Sequence, residues 1–209
     1  VGNATADTIN GGAGADTITG GAGADVFLIA AAADHATGET IVGGADADTI
    51  RFTSTTASET LALLAGVTDA DNAITVEISD AAGANTGTTA LNVNADALVD
   101  TLVVTLIGND GDNVLVGNAT ADTINGGAGA DTITGGAGSD TITGGAGEDT
   151  IILTETSSAA DVVVINAVVG TSEDSGRKTV SGNANDTGDD TITGFAVGTD
   201  TVKTVSYTH

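Results

Sequence analysis

The residues in this chain best placed to do chemistry are aspartates behind glycines at a fixed spacing. Asp7, Asp16 and Asp25 lie nine apart, and so do Asp122, Asp131, Asp140 and Asp149. Gly11, Gly12 and Gly14 precede Asp16, and Gly20, Gly21 and Gly23 precede Asp25. Gly126, Gly127 and Gly129 stand the same way before Asp131. Gly135, Gly136 and Gly138 do so before Asp140, and Gly144, Gly145 and Gly147 before Asp149. Asp48, Asn113 and Asp190 fill the corresponding position in looser copies. Glycine tolerates positive φ and tight folding, which leaves carbonyl oxygens pointing into the loop. A carboxylate among such carbonyls is an all-oxygen donor set. It suits a hard cation and disfavours soft metals.

Other chemistry has less to stand on. Cys is absent, which removes disulfides, thiolate zinc sites and thiol nucleophiles. The only histidines are His35 and His209, so a Ser-His-Asp arrangement would need one of them. Asp34, His35 and Glu39 could form a small metal site, but a solvated loop is the preferred reading. The many carboxylates could supply an acid/base pair for glycoside hydrolysis, but solvated or cation-bound acids are preferred. GGAGAD lacks the lysine of a phosphate-binding loop, and its Asp repels phosphate. The Asn-x-Thr triplets at Asn3, Asn118 and Asn185 read as loop residues rather than glycosylation sites. Outward threonines recur too briefly on one face to form an ice-binding ladder. The chain reads as non-enzymatic.

The elements that must hold these aspartates repeat. Residues 1–25 and 116–140 differ only at Ala24 and Ser139. Five nonapeptides match G-G-x-G-x-D-x-U-x, where U is a large apolar residue: 11–19, 20–28, 126–134, 135–143 and 144–152. Degenerate copies lie at 2–10, 43–51, 108–116, 117–125 and 185–193. This pattern resembles the RTX family of secreted bacterial proteins, whose repeat is a calcium-binding parallel β-helix unit. The Thr- and Ala-rich, Cys-free spacers are similar to those of large RTX-type surface-layer proteins and adhesins. The resemblance implies Ca2+ as the bound ion, several ions per chain, and type I secretion with its C-terminal signal.

The geometry of such a repeat follows from its residues. The x-U-x part is a short strand with its middle side chain inward: Ile18, Phe27, Ile133, Ile142 and Ile151. Two strands and two glycine turns, that is two nonapeptides, make one coil. Stacked loops are then about 4.7–4.9 Å apart. An ion midway would be about 2.4 Å from each, within the Ca–O range and too far for Mg2+. The stacked pairs become Asp7 with Asp25, Asp122 with Asp140, Asp131 with Asp149, and Asn113 with Asp131. Asp34 falls two repeats after Asp16 in a loop without glycine, so a weak or missing site is expected there. Asp48 and Asp190 have no neighbour at that spacing and need a partner from elsewhere. Two repeats after Asp149 stands Ala167, which offers no ligand.

Between and after the repeats the character changes. TLALLAG at 60–66 suggests a short helix. AITVEISDA (73–81), TALNVNA (89–95), TLVVTLIG (101–108) and DVVVINAVV (161–169) read as strands. SEDSGRK (172–178) reads as a polar turn. The intervening stretch is either further coils of one solenoid or a small β-domain docked on it. The expected fold class is all-β, with parallel β-roll (β-solenoid) blocks and interspersed β-rich segments. The expected division is a first roll block with a flanking strand (1–51), a β-rich spacer (52–107), a second roll block (108–152) and a β-rich flanking segment (153–209).

Composition limits the partners. A formal charge of −25 repels nucleic acid and anionic membrane surfaces. No apolar run approaches the roughly 18 residues of a membrane span. No basic segment followed by an apolar one opens the sequence, so a Sec-type leader is not expected. Apolar content of 40% and a mean hydropathy of +0.21 argue against a disordered acidic tail. The reading is an extracellular or cell-surface calcium-binding structural segment of a surface-layer, biofilm or adhesin protein, with self-association or surface assembly as its partnership. The alternative is a β-roll module of a secreted protease or lipase whose catalytic domain lies outside these residues.

Overall fold

Thr-Ile-Thr triplets set the fold. β-branched residues favour extended backbone, and a strand this short turns only its middle side chain inward. The computed structural model describes residues 1–99, 101–153, 159–165, 179–181, 189–194 and 201–204. Among them the chain is nearly all β, with one 3-10 turn at Ala32–Asp34.

Three sheets form the walls of one solenoid. The longest is entirely parallel. It runs through Thr8–Ile9, Val26–Ile29, Asp48–Phe52, Ala73–Ile78, Val103–Ile107, Thr123–Ala128, Thr141–Ala146, Val162–Ile165 and Thr201–Thr204. A second contains Thr60–Ala62, Asn92–Asn94, Val114–Val116, Thr132–Thr134, Thr150–Ile152 and Asp189–Thr193, also parallel. Thr179–Ser181 closes it antiparallel to Asp189–Thr193. Thr17–Ala22, Thr40–Ala45 and Val67–Thr68 make the third. This is a parallel β-roll.

The register gives each coil its length. Thr8 lies opposite Val26, Thr105 opposite Thr123 and Thr123 opposite Thr141, each pair two nonapeptides apart. The coils between are longer, and increasingly so: Val26 pairs with Thr49, Asp48 with Ile74 and Ala73 with Val103. The apolar ladder keeps one line regardless. Ile9, Phe27, Ile50, Val76, Leu106, Ile124, Ile142, Val163 and Val202 stack in successive coils. Leu61, Val93, Leu115, Ile133, Ile151 and Ile192 do the same on the second sheet. Apart from Ile9, Ile192 and Val202, which are partly buried, these side chains are at most 1% exposed. Burying one such side chain is worth about 1.5–3 kcal/mol.

Residues 60–107 are therefore further coils of the same stack, not a separate domain docked on it. The helix expected at 60–66 is instead a strand over Thr60–Ala62. Leu61 and Leu63 are buried while Thr60 and Ala62 are exposed, a period of two. The expected turn at 172–178 lies outside the described residues, as does the end of the run at 161–169.

Candidate metal centre

The repeat aspartates are held by the backbone of the coil before. Past the first coil, Oδ1 of Asp25, Asp48, Asp122, Asp131, Asp140, Asp149 and Asp161 accepts a hydrogen bond from the N–H one coil earlier. Asp7 N–H donates to Asp25 Oδ1 (2.8 Å), and Asp25 N–H to Asp48 Oδ1 (2.7 Å). Further along the same side, Val104 N–H donates to Asp122 (3.0 Å), Asp122 N–H to Asp140 (2.9 Å) and Asp140 N–H to Asp161 (2.9 Å). On the opposite side Asn113 N–H donates to Asp131 (2.7 Å) and Asp131 N–H to Asp149 (2.9 Å). All four pairs expected from the two-repeat spacing are brought together. In each pair the later carboxylate reaches back through one oxygen to the amide of the earlier residue.

The second oxygen, Oδ2, divides the loops into two kinds. Each repeat Asp folds over the first glycine of its own loop. A Cβ on Gly20, Gly126, Gly135 or Gly144 would overlap Oδ2 of Asp25, Asp131, Asp140 or Asp149. Where the second loop residue is Asn, its N–H occupies that oxygen. Asn3 N–H donates to Asp7 Oδ2 (2.7 Å) and Asn118 N–H to Asp122 Oδ2 (2.8 Å). Thr120 Oγ1 adds a bond to Asp122 Oδ1 (2.9 Å). Where the second residue is glycine, as at Gly127, φ is +108°. Oδ2 of Asp16, Asp25, Asp48 and Asp131 is then buried without a hydrogen-bond partner. A buried oxygen left so costs about 1–3 kcal/mol or more for a charged group.

Electrostatics follow burial. Asp131 is pushed up to about 7 by burial, with the charges of Asp149 and Asp112 adding to it. Asp122 is also raised by burial, against the opposing pull of the Asn118 and Val104 amides. Asp48 is raised to about 6, first by burial and then by its neighbour Asp69. No cationic side chain neutralises these groups among the described residues. Arg51 is engaged elsewhere, through Nε with Glu77 and through Nη1 with the Ala81 carbonyl.

Several expectations are corrected by the longer coils. Asp48 does not need a distant partner: the lengthened coil between Val26 and Thr49 stacks it on Asp25. Asp34 does not stack on Asp16. Thr17 pairs with Thr40, which puts Glu39 in that place, while Asp34 ends the 3-10 turn and accepts the Ala31 N–H. The residues added to this coil are the cause. Asp149 is not followed by Ala167: Thr150 pairs with Thr191, which brings the Asp190 backbone into register. The Asp190 side chain lies outside what is described, as does His209.

Asp34, His35 and Glu39 form neither a metal site nor a solvated loop. His35 and Glu39 are buried, with Nδ1 3.4 Å from Oε1. His35 Nε2 accepts the Leu64 N–H at 3.2 Å. Burial holds the imidazole below its usual range, while burial and the Asp16 charge raise Glu39 to about 7.

The loops fit a calcium ion. Their free donors are buried carboxylate oxygens, each beside a glycine that leaves room for nothing larger than hydrogen. Among the described residues no three His, Asp or Glu side chains converge. A cation would be held by one or two carboxylates together with loop carbonyls, a donor set that Ca2+ accepts with its six to eight oxygen ligands. Sequence reasoning missed Asp161 and Glu39 as members of the stacked positions. Alignment on the inward residues Ile41 and Val163 would have found them.

The family model of the RTX calcium-binding nonapeptide repeat matches the chain four times, over residues 1–29, 36–51, 105–133 and 125–153. No curated protein and no solved structure matches the chain.

Proposed function

Starting from a chain that carries RTX calcium-binding nonapeptide repeats, we propose that it is an extracellular structural segment of a surface-layer, biofilm or adhesin protein, set into shape by calcium. The observation that carries this reading is the row of buried carboxylate oxygens without partners in glycine-bearing loops. Asp16, Asp25, Asp48 and Asp131 would hold ions with their loop carbonyls. The ion would supply the positive charge that no described side chain brings to these loops. Binding energy then becomes folding energy. Such a chain stays unfolded where calcium is scarce and folds where it is abundant, which suits export in the unfolded state.

The role is structural rather than catalytic. The solenoid runs through the intervening residues without a break, so the repeats are part of a continuous rod. With −25 formal charges, neighbouring copies repel one another until cations intervene. Calcium beyond that held in the loops would let copies associate at a cell surface.

Circular dichroism of the full chain tests the first half. β signal should be lost in chelator and return with calcium; identical spectra and melting in both would refute it. Light scattering during calcium titration tests the second. Association should begin above the calcium level that completes folding, and a protein that stays monomeric at millimolar calcium would remove the assembly reading.

A further inference from the structure

The coil after Asp48 departs from the repeat in a specific way. Val42 pairs with Thr68, so Asp69 stands opposite Gly43, and Asp48 pairs with Ile74. The loop 69–74 therefore has an aspartate where the repeat has its first glycine, and an isoleucine where the repeat has its aspartate. Ile74 is buried in the apolar core. The carboxylate has moved from the end of the loop to its beginning.

Both carboxylates nevertheless arrive at one point. A Cβ placed on Gly43 would overlap Oδ2 of Asp48 and Oδ2 of Asp69 together. Each group is fixed through its other oxygen: Asp48 Oδ1 accepts the Asp25 N–H at 2.7 Å, and Asp69 Oδ1 accepts the Asp71 N–H at 2.8 Å. Asp48 is 1% exposed and Asp69 8% exposed. The two Oδ2 atoms are buried and have no hydrogen-bond partner. Two carboxylates held this way, with no cationic side chain beside them among the described residues, repel in a medium of low effective dielectric.

We infer that Asp48 and Asp69 hold a calcium ion between loops 43–48 and 69–74, a site completed by a residue outside the matched repeats. The inference rests on the calcium reading of the repeats and extends the row of sites by one coil into the region between the two glycine-rich blocks. The donors are oxygen alone, and a hard divalent cation satisfies both charges at once. The competing occupant is a proton shared between the two carboxyl groups, which would also quiet the repulsion.

Calcium stoichiometry of the full chain separates these outcomes. Bound calcium would be counted at pH 7.5 by equilibrium dialysis with atomic emission, for the parent chain, Asp69→Asn, Asp69→Gly and Asp131→Asn. Asp69→Gly restores the repeat's own residue, so it removes the carboxylate without adding bulk. Circular dichroism in saturating calcium confirms that each variant is folded. Both Asp69 variants should lose one equivalent of calcium while keeping the remainder. Unchanged counts in both, with Asp131→Asn losing calcium, overturn the Asp48–Asp69 site and leave the shared proton. A parent chain that binds no calcium at millimolar concentration overturns the repeat reading itself.

Discussion

Gly127→Ala measures how closely the coils stack. Gly127 has φ +108°, and a Cβ there would strike the carbonyl oxygen of Asn109, one coil earlier. That same oxygen accepts the Ala128 N–H at 3.1 Å. Gly38 is the control, with φ +96° and only an ordinary 3.5 Å approach to the Ala15 Cβ. Alanine in the left-handed region costs about 1–2 kcal/mol at either position. Overpacking against fixed backbone adds about 1–3 kcal/mol at Gly127 alone. For a chain of this size 1 kcal/mol moves Tm by about 2–4 °C. Thermal unfolding in saturating calcium, followed by far-ultraviolet circular dichroism, should place Gly127→Ala several degrees below Gly38→Ala. Equal melting temperatures would mean that the glycine loops do not lie backbone against backbone, and the stacking on which every site here depends would be wrong.

Asp131→Asn should act with opposite signs in the two states. It removes a buried charge, so the metal-free fold becomes about 1–3 kcal/mol less unfavourable, while the calcium-loaded protein loses affinity; residual β signal in chelator and calorimetric calcium titration check the two halves, and Asn113 shows that the ladder accepts the amide, donating to the Leu91 carbonyl at 2.8 Å. Calcium affinity should fall with pH, because Asp131 at about 7 must lose its proton to bind; at pH 6 its site should be roughly tenfold weaker than at pH 8, read by calorimetric titration. Without metal the sign reverses. The folded value is raised above the ordinary carboxylate value of about 3.9, so this group's stabilisation is full below that pH and is lost as pH rises through about 7. In metal-free buffer any residual β signal should therefore be larger at pH 5 than at pH 8, read by circular dichroism, and a flat profile would contradict the burial of Asp131.

The second repeat block was legible almost residue by residue. Its copies are consecutive, the spacing of nine is unbroken, and Ile133, Ile142 and Ile151 are buried as the strand pattern requires. The stretch between the blocks was not legible, because no fixed period in sequence governs it. Coils of unequal length keep the apolar ladder in line while the extra residues leave it as loops. That is why Glu39 rather than Asp34 stacks on Asp16, and why Asp48 looked isolated. Asp69 was hidden for another reason. It supplies its carboxylate from the opposite end of the loop, where the repeat pattern has no place for one. The splitting of the loops into those with an open Oδ2 and those closed by an Asn amide was also out of reach. It depends on the sign of one φ angle, which Asn118 and Gly127 decide differently at the same repeat position.

The unequal coils give this rod a mechanical character. Its strands lie across the long axis, so tension applied along that axis loads the hydrogen bonds between neighbouring coils and peels one turn away at a time. Each detached turn releases hidden length at about 3.3–3.6 Å per residue. A turn of two nonapeptides yields roughly 60 Å, and the longer turn from Ala73 to Val103 roughly 100 Å. Ions lodged between loops would act as rivets at the seams where peeling must proceed. The same polypeptide would therefore be stiff or extensible according to the calcium in the surrounding medium.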